Sequence, residues 1–286
     1  MINFDGNRPI DVVTPGPGVP SVASRRPFKG FGGMSVAKSI GNSTYHSLQM
    51  KAERRVSRGL SVIASYTWSK ALSAMDQSTV GGGFFSDGVQ DIFNLRAEKS
   101  PAAFDLRHRF SMAAIYDVAL FRNAASAPVR TLLGGWQIGA IVTEQTGFAS
   151  TVSRIGDTTG TGISSRPDLI ANPNLGRGER SRDRWFNTSA FAMPPAGRFG
   201  NSTRHPIHLP GLNNIDFLLS KNFRFRERHT FQLRGEFFNF FNHVNLGAPG
   251  LSLLSPATFG KITTASQGPG HDSGRRVIQL ALKYAF

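Results

Sequence analysis

The stretch Arg276-Val-Ile-Gln-Leu-Ala-Leu-Lys-Tyr-Ala-Phe286 alternates along almost its whole length. Ile278, Leu280, Leu282, Tyr284 and Phe286 fall on one side, with Val277, Gln279, Ala281, Lys283 and Ala285 on the other. Period two marks a β-strand, because successive side chains of an extended backbone point to opposite faces. One face is apolar and ends in aromatics while the other admits a lysine. Such a strand separates an apolar environment from a polar one.

The same pattern recurs upstream. From Leu60 the chain sets Leu60, Val62, Ala64, Tyr66 and Trp68 against Ser61, Ser65, Thr67 and Ser69. Before it, Thr44 to Val56 sets Leu48, Met50 and Ala52 against Ser47, Gln49, Lys51 and Glu53, and Ser57-Arg58-Gly59 links the two as a hairpin. Asp105 to Leu120 sets Leu106, Phe110, Met112, Ala114, Tyr116 and Val118 against Arg107, Arg109, Ser111 and Asp117. Trp136 to Gln145 follows, with Trp136, Ile138, Ala140 and Val142 opposite Gln137, Gly139 and Thr143. A third hairpin is expected from about Leu212 to Phe223 and from Thr230 to Asn242, joined by the charged turn Phe225 to His229, with Phe231, Leu233 and Phe237 opposite Gln232, Arg234 and Glu236.

The links alternate in length. Those at 57–59, 121–135 and 225–229 are short to medium, and those at about 73–104, 147–211 and 243–275 are long. Short turns at one end and long loops at the other are the asymmetry of outer-membrane barrels, where the long loops are extracellular. The long loops, rich in Gly, Pro, Asn and Ser, are expected to be surface material, as is a loop-like amino-terminal segment, residues 1–43; residues 44–286 are read as transmembrane barrel. The fold class is therefore all-β: an antiparallel outer-membrane β-barrel, partial, of about seven or eight long strands.

Hydrocarbon offers backbone N–H and C=O groups no partners, so strands cross it only as a closed sheet. No stretch approaches the roughly 20 apolar residues of a spanning helix. A soluble sandwich would alternate too, but several of these segments exceed ten residues, against roughly 5 to 6 for ordinary soluble strands. Tyr66 and Trp68 at one end, and Tyr116, Trp136, Tyr284 and Phe286 at the other, are read as membrane-interface aromatics. Arg107, Arg109, Arg234, Glu236 and Lys283 are read as lumen charges.

The balance of 33 basic and 18 acidic residues, a net charge of +15, would ordinarily raise nucleic acid as a partner. The basic residues are scattered among turns and strand ends with no organising motif, so no nucleic-acid partner is expected; a barrel rim meeting phosphorylated lipid headgroups would gain from such charge, and solvated loop charges explain any single residue as well. The absence of cysteine decides little. No basic stretch followed by an apolar one opens the chain, so an exported protein would carry its signal further upstream and this chain is expected to be a fragment.

Catalytic signals are weak. Ser35-Val-Ala-Lys38 has a serine-x-x-lysine spacing without companion motifs, and His205-Pro-Ile-His208 lacks a third ligand nearby and is read as a solvated pair. No metal, cofactor or catalytic residue is assigned, and the protein is read as not an enzyme. Phe84, Phe85, Trp185 and Phe186 stand out as loop aromatics.

Six stretches together carry a resemblance: Tyr45-His-Ser-Leu-Gln-Met-Lys51, Ser65-Tyr-Thr-Trp-Ser-Lys70, Asp105-Leu-Arg-His-Arg-Phe110, Gly134-Gly-Trp-Gln-Ile-Gly139, Phe231-Gln-Leu-Arg-Gly-Glu-Phe-Phe-Asn239 and the terminal Gln279 to Phe286. In order and in their terminal strand they resemble the carboxy-terminal barrel of Oar-like TonB-dependent transporters, over roughly residues 40–286. The resemblance implies a barrel of about 22 strands around an amino-terminal plug, importing large or scarce solutes. It implies an inner-membrane energy-coupling protein as a partner, reached only through an amino-terminal part that this chain lacks. Tyr284 and Phe286 are similar to the family's terminal assembly signal, read by the barrel-assembly machinery, and outer-membrane lipid completes the expected partners. The alternative is a surface-displayed binding or adhesion barrel without transport.

Overall fold

A computed structural model describes residues 2–74, 77–78, 85–86, 89–225, 229–266 and 274–286. Phe84 and the turn residues 226–228 lie outside the described residues, as does the side chain of Phe85.

Seven long strands form one antiparallel meander: β1 (Ser43–Ser57), β2 (Leu60–Ser73), β3 (His108–Asp117), β4 (Trp136–Gln145), β5 (Leu212–Phe225), β6 (His229–Phe238) and β7 (Val277–Ala285). Each pairs with its neighbours in sequence, and Ser100–Pro101 adds a two-residue strand beside the end of β2. All seven lie in a single sheet, and among the described residues no second long-stranded sheet packs on it as a sandwich requires. Neither β1 nor β7 has an outer partner among the described residues, so the barrel is only partly closed.

The turn between β1 and β2 shows how local chemistry fixes the register. Arg58 and Gly59 both take positive φ, 52° and 83°, which a two-residue hairpin turn matched to strand twist requires. A Cβ on Gly59 would also stand 2.8 Å from the Asp117 carbonyl oxygen, so β3 passes too closely for a side chain. The link between β3 and β4, expected as a longer turn, holds a short helix α1 (Ala127–Leu133) with Pro128 in its first turn and its stop at Gly134.

Two sequence expectations fail here. β3 begins at His108 and not at Asp105, because the Asp105 side chain turns inward, is 1% exposed and accepts the Ala71 N–H at 2.6 Å. The long loops are not merely surface material. Val152, Phe186, Ala190, Phe191, Ile207 and Phe259 form a buried cluster, with the Phe186, Phe191 and Phe259 rings edge to face at centroid distances of 5.1–6.0 Å. Two short ribbons, Ala149–Ser150 with Ile207–His208 and Asp168–Leu169 with Phe191–Ala192, frame it.

Polar groups stitch this cap together. Arg166 and Glu98 are 1% and 0% exposed and pair through both guanidinium nitrogens, at 2.7 and 3.2 Å. Gln90 donates to the Gly200 carbonyl and accepts the Arg166 N–H. Residues 1–43, largely irregular and exposed where described, are tied in at a few points. Ile2–Asp5 pairs with Ser35–Lys38, and Arg8 donates to the Gln90 carbonyl at 3.1 Å. Ser35 and Lys38 thus belong to a ribbon strand.

Candidate lipid-facing surface, inner face and rim cleft

Directly paired residues share a face, so the strand registers read as rows across the sheet. Val62, Ala114, Ala140, Phe217, Phe237 and Ile278 form one unbroken apolar row from β2 to β7. Leu60, Tyr116, Ile138, Leu219, Gly235 and Leu280 form the next one down. Every apolar face expected from periodicity merges into one surface, and Leu280 and Leu282 on it are 75% and 72% exposed.

Aromatics run across this surface on a slope. Tyr116 of β3 lies in the Leu60 row, Trp136 of β4 two residues lower, and Phe223, Phe231 and Tyr284 of β5 to β7 two residues lower again. Four strand spacings of roughly 4.8 Å against a descent of four residues at roughly 3.4 Å each incline this line by roughly 35° to the pairing direction. That is the inclination a level aromatic belt takes when strands tilt by roughly 35 to 45°, as in outer-membrane barrels. A second line, Phe110, Phe217 and Phe237, runs parallel to it six residues higher on its strands. Tyr284 packs on Phe231 at 4.8 Å, Phe286 on Tyr284 at 5.7 Å, and the Tyr284 hydroxyl lies 2.6 Å from His229 Nδ1. At the loop end, Tyr66 bonds His108 Nδ1 at 2.8 Å and Trp68 faces out, 38% exposed.

Cations interrupt the apolar face at Arg54, paired with Val62, at Lys70, two residues beyond Trp68, and at Lys221, which escaped the sequence reading. Lys221, paired with Trp136, lies between the Trp136 and Phe223 rings at 5.5 and 5.1 Å and donates to the Gly134 carbonyl at the end of α1. The stem stays in apolar surroundings while the ammonium reaches a strong acceptor at the rim.

The opposite face carries Arg109, Arg234, Glu236 and Lys283, of which Arg234 and Glu236 form an ion pair along β6. Arg107 departs from expectation: it precedes β3, pairs with Asp105 at 3.7 Å and lines a cleft outside the sheet's inner face. This inner face is not uniformly polar. Ile63, Ala113 and Ile141 form one row with Ile115 in the next, and the three isoleucines are 43%, 53% and 47% exposed for Ile63, Ile141 and Ile115. Near the loops the same face is covered, with Ser69, Ala71, Ser73 and Asn214 buried beneath the cap.

The cleft, about 1010 Å³, opens where the loop cap overhangs the apolar face. Its floor is the row Tyr66, Phe110, Glu144 and Asn213, and Arg107, Arg180, Trp185 and His208 line it from the loop side. Arg180 stacks over Trp185 at 5.5 Å, and the Trp185 indole donates to the His208 carbonyl at 2.8 Å. Burial holds the His208 imidazole below its ordinary value; Asp105 opposes the shift, while Arg107 and Arg180 add to it. His205, read as half of a solvated pair, is instead buried with Nδ1 donating to the Pro101 carbonyl at 2.7 Å, because the ribbon at Ile207–His208 turns it into the cap. Phe186 is in the cap core and Trp185 in the cleft; no periodic signal marks either, since loop residues pack without a repeat. No cluster of three or more His, Cys, Asp or Glu with metal-binding geometry occurs among the described residues.

A family model described as an outer membrane beta barrel domain matches residues 1–279. No curated protein and no solved structure matches the chain. The family match spans nearly the whole chain and agrees with a meander whose apolar residues form one continuous outer surface, so the protein is placed in the cell outer membrane: the chain belongs to the outer membrane beta barrel domain family.

Proposed function

We propose that the chain is the carboxy-terminal wall of a TonB-dependent transporter that imports a large or scarce solute. The observation that carries this reading is the apolar patch of Ile63, Ile115 and Ile141 on the face turned from lipid. A water-filled lumen gives such side chains no gain, whereas a folded plug pressed against them removes their apolar surface from water. The two edges, unpaired among the described residues, support the same reading, since a lipid-embedded sheet must close and further strands would complete it.

In this reading Tyr116, Trp136, Tyr284 and Phe286 lie at the periplasmic interface, and Tyr66 and Trp68 at the outer one. Arg109, Arg234, Glu236 and Lys283 face the lumen, and no catalytic or nucleic-acid role is assigned. Tyr284 and Phe286 present the terminal aromatics to the assembly machinery, and the energy-coupling protein acts through the plug. A displayed adhesion barrel is the second reading, favoured by the Phe186, Phe191 and Phe259 core, which makes the outer loops a firm surface.

Cysteines at Ile115 and Ile141 in the native chain, probed in intact cells with a membrane-impermeant maleimide, distinguish the readings. Transport is expected to give shielding that is partly lost when the cell is energised and regained with an uncoupler. Shielding indifferent to the uncoupler favours adhesion, and full reactivity throughout means an open pore.

A further inference from the structure

The cleft at the rim has features that transport does not use. Its floor, Tyr66 and Phe110, is the upper edge of the lipid-facing surface. Its loop side brings the guanidinium groups of Arg107 and Arg180 to the same space, with His108, His208 and His243 around them and Glu144 as the acidic side chain in the lining. Arg107 Nε is buried with no hydrogen-bond partner among the described residues, and its terminal nitrogen stands 3.7 Å from the Asp105 carboxylate, so the guanidinium is only loosely paired. Ala64 of β2 lies one row above the paired Ala114 and Ala140 of β3 and β4, and the three form a shallow diagonal past Met112 between the two aromatic lines.

Cations above, a stacking aromatic at the mouth and a shallow apolar track below match an amphiphile with an anionic head. In an outer-membrane barrel the long loops are extracellular, so the cleft opens at the outer leaflet. We propose that it is a binding site for a phosphorylated glycolipid of the outer leaflet. Arg107 and Arg180 hold the phosphate, Trp185 packs against the sugar beside it, and one acyl chain lies along Ala64 and Ala114. The site rests on the outer-membrane placement and is independent of whether the barrel transports anything.

The test uses the native chain extracted in mild detergent and titrated with bisphosphorylated lipid A, with lipid A stripped of phosphate, and with inorganic phosphate. Binding is read by native mass spectrometry. The phosphorylated lipid is expected to bind, the stripped lipid to bind at least about tenfold more weakly, and Arg180→Gln to lose about tenfold, the effect of one charge-assisted hydrogen bond. Ala114→Phe, which fills this shallow diagonal, is expected to weaken the lipid equally. Glu144→Gln, which removes the like charge, is expected to strengthen it, giving a second readout should Arg180→Gln fail to assemble. Equal binding of the two lipids, or indifference to both Arg180→Gln and Glu144→Gln, overturns the proposal. Displacement of the lipid by inorganic phosphate at matching concentration also overturns it, by making the cleft a site for free anions.

Discussion

The strand sheet and the loop cap of this protein solve opposite problems. In the sheet, most apolar side chains point outward, the inner Ile63, Ile115 and Ile141 aside, and Ala71 is the one buried apolar residue that a long strand contributes among those described. In the cap, Phe186, Phe191, Ile207 and Phe259 turn inward as in a water-soluble domain, around a buried Arg166–Glu98 pair. One chain therefore meets two solvents. The sheet exposes its apolar surface because hydrocarbon surrounds it, and the cap hides its own because water does.

The largest effects are expected in the cap. Glu98→Ala leaves the Arg166 guanidinium buried and unpaired, and should cost about 3–5 kcal/mol of cap stability. Phe186→Ala should cost a similar amount, about 3–5 kcal/mol, through the cavity it opens. Limited proteolysis of intact cells should then cut residues 146–211 readily while the sheet keeps its hydrogen-exchange protection. Equal loosening of both regions would break the comparison.

Next in size is a charge on the outward face. Leu280→Arg should destabilise the assembled sheet by about 2–4 kcal/mol if that position lies near the bilayer midplane. Gln279→Arg, one residue earlier and on the other face, should stay within about 0.5 kcal/mol. Refolding titrations in lipid vesicles measure both, and similar costs at the two positions would mean the faces are misassigned.

How much of this could be read from the sequence follows the same division. All seven long strands were legible because a face shared with lipid imposes period two, as in Ile278 through Tyr284. The cap was not, because Phe186 and Phe259 are 73 residues apart and meet through irregular backbone with no repeat to betray them. Lys221 was missed since its company, Trp136 and the Gly134 carbonyl, comes from another strand and a helix end. The Ile63, Ile115 and Ile141 patch was hidden in a different way: each residue looks like an ordinary exception to alternation, and only the registers bring them together. The cleft likewise combines Arg107 and Arg180 from two loops.

Smaller effects sharpen the boundary between the regions. Tyr284→Ala removes the stack on Phe231 and should cost about 0.5–1.5 kcal/mol, seen as a lower gel-shift melting temperature with the cap unchanged. The His208 imidazole, held below its ordinary value of 6.5 chiefly by burial, binds protons less readily in the folded cap than when unfolded. Its contribution is therefore complete above that ordinary value and is lost as pH falls from there through the lowered folded value. Hydrogen exchange in residues 146–211 should quicken over that window, and His208→Asn should remove the dependence while leaving β3 to β7 unaffected.

The central claim is that one face of the sheet meets hydrocarbon and the other does not. The chain has no cysteine, so single cysteines placed at each position from 277 to 285 of the native protein can carry a spin label without background. Collision with oxygen, which concentrates in lipid, is measured against collision with a water-soluble nickel chelate. Labels at 278, 280, 282 and 284 are expected to favour oxygen and those at 277, 279, 281 and 283 to favour the chelate, in strict alternation. Uniform accessibility, or alternation in the opposite phase, would contradict the account.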